Sequence, residues 1–185
     1  MSLSVAMAAT LAPEYEPAPF ERVMAEHTPR VYRSLRYLGV PDADLPDASQ
    51  EVFLVVYRRL EEFRGDASLS TWIYQICFRV ARACRRRAAS RRDEPVAELP
   101  VVMVDADQER AMQIEQTRHR LLLALDALPE DQRAVIVLHE LEELPMSQVA
   151  TLVGCPLFTA YSRHRLARKR LEESLTRVAA EGSHG

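Results

Sequence analysis

Apolar residues recur at intervals of three and four along most of this chain, the spacing of helices that each bury one face. In residues 20–38 the stripe is Phe20, Val23, Met24, His27, Val31, Leu35 and Leu38, closed by Gly39, Val40 and Pro41. A second helix is predicted to start near Asp44, with Pro46 in the first turn, where a missing N–H costs little. Its stripe is Val52, Phe53, Val56, Leu60 and Phe63. Arg64, Gly65 and Asp66 predict a turn, and Ser68 or Ser70 a cap for a third helix that buries Leu69, Trp72, Ile73, Ile76, Val80 and Cys84. Residues 107–128 predict a fourth helix with Ile114, Leu121, Leu125 and Leu128 inward, and Pro129 opens a fifth carrying Val135, Leu138 and Leu141. A short helix over 146–153, a turn at Gly154 and a long helix after Pro156 complete the pattern. The last should bury Leu157, Ala160, His164, Ala167, Leu171 and Leu175. The expected fold class is all-α, in two small helical domains.

Charge divides the chain in the same places. The net charge of −3 argues against a uniformly basic nucleic-acid protein, but the average conceals segregation. Residues 78–92 hold seven arginines and no acid, and residues 155–171 hold five Lys/Arg and no acid. Between them, residues 93–115 carry seven acids against one arginine, with Pro95 and Pro100, which predicts an inter-domain linker. A helix that is apolar on one side and carries Arg79, Arg82, Arg85 and Arg86 mostly off that side implies phosphate contact. The short helix, glycine turn and basic second helix over 146–170 follow the helix-turn-helix plan, with Thr159, Ser162, Arg163, Arg165 and Lys169 directed outward. The acidic linker is expected to fold over the cationic helices, with Asp105, Asp107 and Glu109 lowering non-specific DNA binding.

Other chemistries are excluded by spacing. Cys77, Cys84 and Cys155 form no metal-ligand pattern. Cys77 and Cys84 lie roughly 10 Å apart along one helix, too far for a disulfide, so buried thiols in a reducing cytoplasm are expected. His139-Glu140 opens an HExxH pattern, but Glu143 stands where its second histidine belongs, so that metalloenzyme site fails. No catalytic residues, metal or cofactor are therefore expected. No signal peptide is apparent and no stretch approaches transmembrane length, so direct membrane insertion is not expected.

Four blocks, in order, carry a resemblance: Asp47-Ala48-Ser49-Gln50-Glu51-Val52-Phe53; Phe63-Arg64-Gly65-Asp66 with Ser70-Thr71-Trp72-Ile73-Tyr74; Leu128-Pro129-Glu130-Asp131-Gln132-Arg133; and Cys155-Pro156 with Thr159 and Ser162-Arg163. Together they resemble the extracytoplasmic-function (ECF) sigma factors of bacterial RNA polymerase. The resemblance runs from about residue 20 to 175. The small, apolar residues 1–18, with Pro13 and Pro17, read from composition as a disordered leader; the resemblance implies a region 2 domain over 19–90, a linker over 91–107 and a region 4 domain over 108–178, with 179–185 expected as a disordered tail. A helix-turn-helix regulator that is not a sigma subunit is the alternative, but it leaves the first two blocks unexplained.

The resemblance also implies roles. Asp47, Gln50, Glu51 and Leu54 would dock on core RNA polymerase. Phe63, Arg64, Asp66, Ser68 and Ser70 would hold a base flipped from the minus-ten promoter element, while Arg79, Arg82 and Arg86 track the strand backbone. Phe158, Thr159, Ser162, Arg163, Arg165 and Lys169 would read the minus-thirty-five element in the major groove. Promoter DNA, core polymerase and an anti-sigma factor are the implied partners, in the cytoplasm. Three positions depart from the family pattern. Arg79 stands where asparagine is common, so the promoter sequence does not carry over. Pro145 replaces a capping serine, so the cap is expected from another residue or from the chain's entry angle alone. Phe158 and Tyr161 replace small and basic residues.

Overall fold

The computed structural model describes residues 19–65, 67–90 and 108–181. Within them the secondary structure is helical: α1 (Phe20–Tyr37), α2 (Leu45–Arg59), α3 (Leu69–Ser90), α4 (Gln108–Asp126), α5 (Glu130–Ile136), α6 (Met146–Val153) and α7 (Leu157–Glu181). The all-α expectation holds. The expected leader, most of the acidic linker and the last residues of the tail lie outside the described residues.

Helices α1, α2 and α3 pack against one another. Their shared core is Val23, Val31 and Leu35 from α1, Val52 and Val56 from α2, and Ile73, Ile76, Cys77 and Val80 from α3. Apart from Cys77 these belong to the predicted stripes, and at about 1.5–3 kcal/mol for each large aliphatic side chain buried they supply most of what holds the unit together. Phe20 closes one end with its ring edge-on to Tyr57, centroids 5.1 Å apart. Burial pushes the Cys77 thiol far above its ordinary range, so it stays protonated and inert.

In the second unit α5, α6 and α4 all pack on α7. The core is Leu125, Leu128, Val135, Leu138, Leu144, Val149, Ala160 and Ala167. Gly154 ends α6 with φ +70°, the left-handed conformation that glycine adopts without penalty. Between α5 and α6 the chain widens into a π-turn, Val137–Leu141.

Four stripe positions expected to point inward are exposed: Met24, Ile114 at 62%, Leu141 and Leu157. Ile114 lies on a stretch of α4, residues 114–119, that is exposed throughout. Leu157 occupies the first position of α7. Leu141 fails for a different reason: a π-turn inserts a residue and rotates the chain after it off the 3.6-residue stripe, so Leu144 takes the buried place instead.

The two units also meet. Ser34 of α1 donates its hydroxyl to the Glu142 carboxylate. Arg36 reaches Asp126 at 3.6 Å, and Arg85 of α3 reaches Glu130 at 3.9 Å. Gly39 lies against the guanidinium of Arg133. The molecule is therefore closed, with α5 and the turn after it seated on α1 and α3.

Candidate nucleic-acid interface

Ser68 caps the start of α3: its Oγ accepts the Thr71 backbone N–H at 3.1 Å and lies 2.8 Å from the Thr71 hydroxyl. Of the two serines expected to cap, Ser68 does so; Ser70 sits half-buried in the first turn. Just before the helix, the half-buried Phe63 ring lies 5.4 Å from Trp72 at a 47° tilt. This aromatic pair forms one wall of the loop; Arg64 is exposed beside it, and Asp66 is outside the described residues.

The arginine run divides into two groups. Arg85 is turned inward, donating to the Leu38 carbonyl at 3.3 Å. Arg87 donates to Glu51 Oε2 at 2.8 Å, tying α3 to α2. Arg79, Arg82 and Arg86 are exposed, at spacings of three and four on one face. Arg82 and Arg86 border a cavity with Phe78, Glu130, Asp131 and Arg163, so they look onto the acidic start of α5. Arg79 borders a second cavity with Ser147, Gln148 and Thr151 of α6. The acids near Arg82 and Arg86 belong to α5; the expected screening residues Asp105 and Asp107 are outside the described residues, and nothing is described of the Glu109 side chain.

Behind the loop, Ser68 and Ser70 share a polar cavity with Arg30, Arg33, Thr71, Tyr74 and Glu142. Arg30 Nη1 donates to the Tyr74 hydroxyl at 3.4 Å, and Tyr74 bonds to Glu142. Burial raises the Glu142 carboxyl above its ordinary value, opposed by the hydrogen bonds from Ser34 and Tyr74 and by Arg33 and Arg30. Sequence spacing does not single out Arg30, Arg33 or Tyr74. They come from the solvent side of α1 and the core side of α3, and no linear interval joins them.

On α2 the buried Ala48, Val52, Phe53 and Val56 face inward, leaving Asp47, Gln50 and Leu54 on the exposed face. Leu54 is 47% exposed, a large apolar side chain among polar neighbours. Glu51 is half-buried and engaged by Arg87.

In the helix-turn-helix, Phe158 is 85% exposed, and Tyr161, Arg165 and Lys169 are also exposed. Thr159, Ser162 and Arg163 are half-buried. Arg163 Nε lies 3.0 Å from Asp131, and Arg170 Nη1 donates to Gln132 at 3.0 Å, so two arginines of α7 anchor it to α5. No side chain caps α6: the Gln148 and Val149 N–H groups donate to the Pro145 carbonyl at 2.9 and 3.1 Å, and Pro145 enters extended at ψ 140°. Of the two caps left open, another residue or the chain's entry angle alone, the structure shows the second.

Residues 23–92 match the family described as Sigma-70 region 2, and residues 118–171 the one described as Sigma-70, region 4. The chain is 31% identical over 147 residues to the ECF RNA polymerase sigma-E factor of Escherichia coli K12, covering 74% of this chain and 76% of that one. It is 34% identical over 147 residues to the RNA polymerase sigma-H factor of Pseudomonas aeruginosa, covering 73% and 75%. Among solved structures, the fold is similar to the sigma factor RpoE in complex with the anti-sigma factor NepR from Bartonella quintana, with TM-score 0.62 and 23% identity over 85% of this chain and 96% of that one. CnrH in complex with the cytosolic domain of CnrY gives TM-score 0.57 at 22% identity, over 85% and 87%. With a polymerase-type region 2 and a helix-turn-helix region 4 in order, and a relative matched over three quarters of its length, the chain belongs to the ECF family of RNA polymerase sigma factors.

Proposed function

We propose that this sigma factor works by binding rather than by bond chemistry. Asp47, Gln50, Glu51 and Leu54 dock on core polymerase; the loop from Phe63 to Ser70 holds an extruded minus-ten base; Arg79, Arg82 and Arg86 follow the strand. Phe158, Thr159, Ser162, Arg163, Arg165 and Lys169 meet the minus-thirty-five element. A flipped base must regain its lost stacking, and an aromatic wall such as Phe63–Trp72, with polar groups behind it, suits that task. The polymerase supplies the catalysis, in the cytoplasm, and the domain division at about residues 90 and 108 separates the two promoter readers. Among the described residues no helix is long and apolar enough to cross a membrane.

The observation that carries this reading is the split of the arginine run. Arg85 and Arg87 are engaged within the fold, while Arg79, Arg82 and Arg86 form one exposed line leading away from the Phe63–Trp72 pair. In the closed form that line faces α5 and α6, so DNA engagement requires the two units to part. An anti-sigma factor that covers polymerase-facing surfaces would act on the same equilibrium; both structural neighbours are chains in complex with a partner, an anti-sigma factor in one of them.

The test is promoter opening by polymerase reconstituted with Arg82→Ala/Arg86→Ala. Open-complex formation should fall and its salt dependence flatten, by about 0.7 in log–log slope for each single-strand phosphate no longer neutralised, while core binding persists. An unchanged salt slope would remove these arginines from the strand path. Failure to bind core polymerase would instead point to a damaged region 2.

A further inference from the structure

Where the π-turn meets α7, two histidines and a glutamate converge that the promoter and polymerase roles leave unused. His139 and Glu140 lie in the turn Val137–Leu141, and His164 lies on α7 on the same stripe as the buried Ala160 and Ala167. One ligand atom from each residue falls within 4.8 Å of the others. The two imidazoles meet edge to face, centroids 4.9 Å apart at 86°. His164 Nε2 is 2.6 Å from Glu140 Oε1.

The orientation of His139 is fixed from behind. Its Nδ1 lies 2.8 Å from the Leu144 carbonyl oxygen. A carbonyl oxygen only accepts, so Nδ1 carries the proton and Nε2 keeps its lone pair. A ring whose second nitrogen donates to a backbone carbonyl is the usual support of a metal-ligating histidine. The π-turn matters here, because its extra residue sets His139 and Glu140 toward α7 rather than along the α5 stripe. Spacing alone cannot show this: HExxH places its second histidine at position 143, whereas here the second histidine comes from α7.

We propose that His139, Glu140 and His164 form a binding site for a divalent first-row transition-metal ion of the zinc class. Two imidazoles and a carboxylate are a common zinc ligand set, at about 2.0–2.2 Å from the ion, with a fourth position left to water or to a partner. The ion takes the place of the Nε2 proton that holds His164 to Glu140; that proton leaves to water, and the metal-bound ring carries its proton on Nδ1. Glu140 borders an open cavity with Leu121, Leu125, Leu141 and Arg168, which gives the ion a path from solvent. Once bound, the ion joins the turn between α5 and α6 to the helix that carries Phe158, Arg165 and Lys169. It therefore holds the DNA-reading helix against its support.

The experiment is a titration of the full-length, metal-stripped protein with Zn²⁺, and with Co²⁺ as the spectroscopic substitute. One ion per chain is expected, with the visible absorption of four-coordinate cobalt and a rise in Tm that grows with ion concentration. His139→Gln and His164→Gln should each weaken binding by more than about 100-fold, since a ligand matters more than its outer partner. Ring resonances of His139 and His164 should shift on Zn²⁺ addition in the unmutated protein, with those of His27 and His119 unmoved; this readout does not depend on any variant folding. No bound ion, binding that survives both substitutions, or shifts confined to other histidines or to the cysteines would each overturn the proposal.

Discussion

Ser34 of α1 donates its hydroxyl to the carboxylate of Glu142, 108 residues further along the chain. Both side chains are buried, and Tyr74 bonds to the same carboxylate. If, as proposed, region 2 and region 4 read separate promoter elements, this buried polar contact between the two units is one that breaks on DNA binding. The hydrogen bonds compensate the desolvated carboxylate, but the gain over hydration of the separated groups is modest.

Glu142→Ala should therefore loosen the closed form. It leaves the Ser34 and Tyr74 hydroxyls without their acceptor, at about 1–3 kcal/mol for each buried group left unpaired. Small-angle scattering of the free protein should show a larger radius, and non-specific DNA binding at low salt should strengthen as Arg82 and Arg86 are uncovered. A cycle with Ser34→Ala should return a coupling of about 0.5–3 kcal/mol. Scattering identical to the unmutated protein, with no coupling, would mean that other contacts hold the units together.

Gly39 provides a second handle on the same interface. Its φ is +88°, and a Cβ built on it would lie 1.9 Å from Arg133 Nη1. Arg133 is not free to withdraw easily, since it is buried and 3.0 Å from Asp126. Gly39→Ala should lower stability by about 1–3 kcal/mol, through backbone strain and the clash together. Arg133→Ala on that background should relieve the clash while leaving the strain, so the two substitutions should be strongly non-additive in chemical denaturation. Additive losses would place Arg133 away from Gly39 in solution.

Most of the helices and their stripes are legible because burial of one helix face writes a period of 3.6 into the sequence. The errors fall where that rule stops applying. Leu141 misleads because a π-turn is silent in apolar spacing, and Ile114 because an amphipathic pattern does not say where a helix outruns its partners. The candidate site is legible through local blocks, such as the Phe63–Trp72 loop and the arginine run. Spacing does not reveal the division of labour within the run, since Arg85 and Arg87 are claimed by Leu38 and Glu51 from outside α3. The same holds for Arg30, Arg33 and Tyr74, and for the approach of His164 to His139: tertiary neighbours leave no signature at fixed separation.

The exposed face of α2 gives the most direct separation of fold from function. Leu54 is nearly half-exposed and lies opposite Val52, Phe53 and Val56, so it contributes little to the region 2 core. An apolar side chain held in water between Gln50 and Arg58 gains by meeting a partner, and taking a leucine side chain fully out of water is worth about 2 kcal/mol. Leu54→Asp should leave thermal stability within about 0.5 kcal/mol of the unmutated protein, as expected for a surface position. Core polymerase affinity should nevertheless drop by about 30-fold, from 1.4 kcal/mol per tenfold change, with the DNA contacts of region 4 unaffected. Equilibrium binding to core polymerase beside a thermal melt checks both halves. Lost stability would return Leu54 to the core, and intact polymerase affinity would take this face of α2 out of the interface.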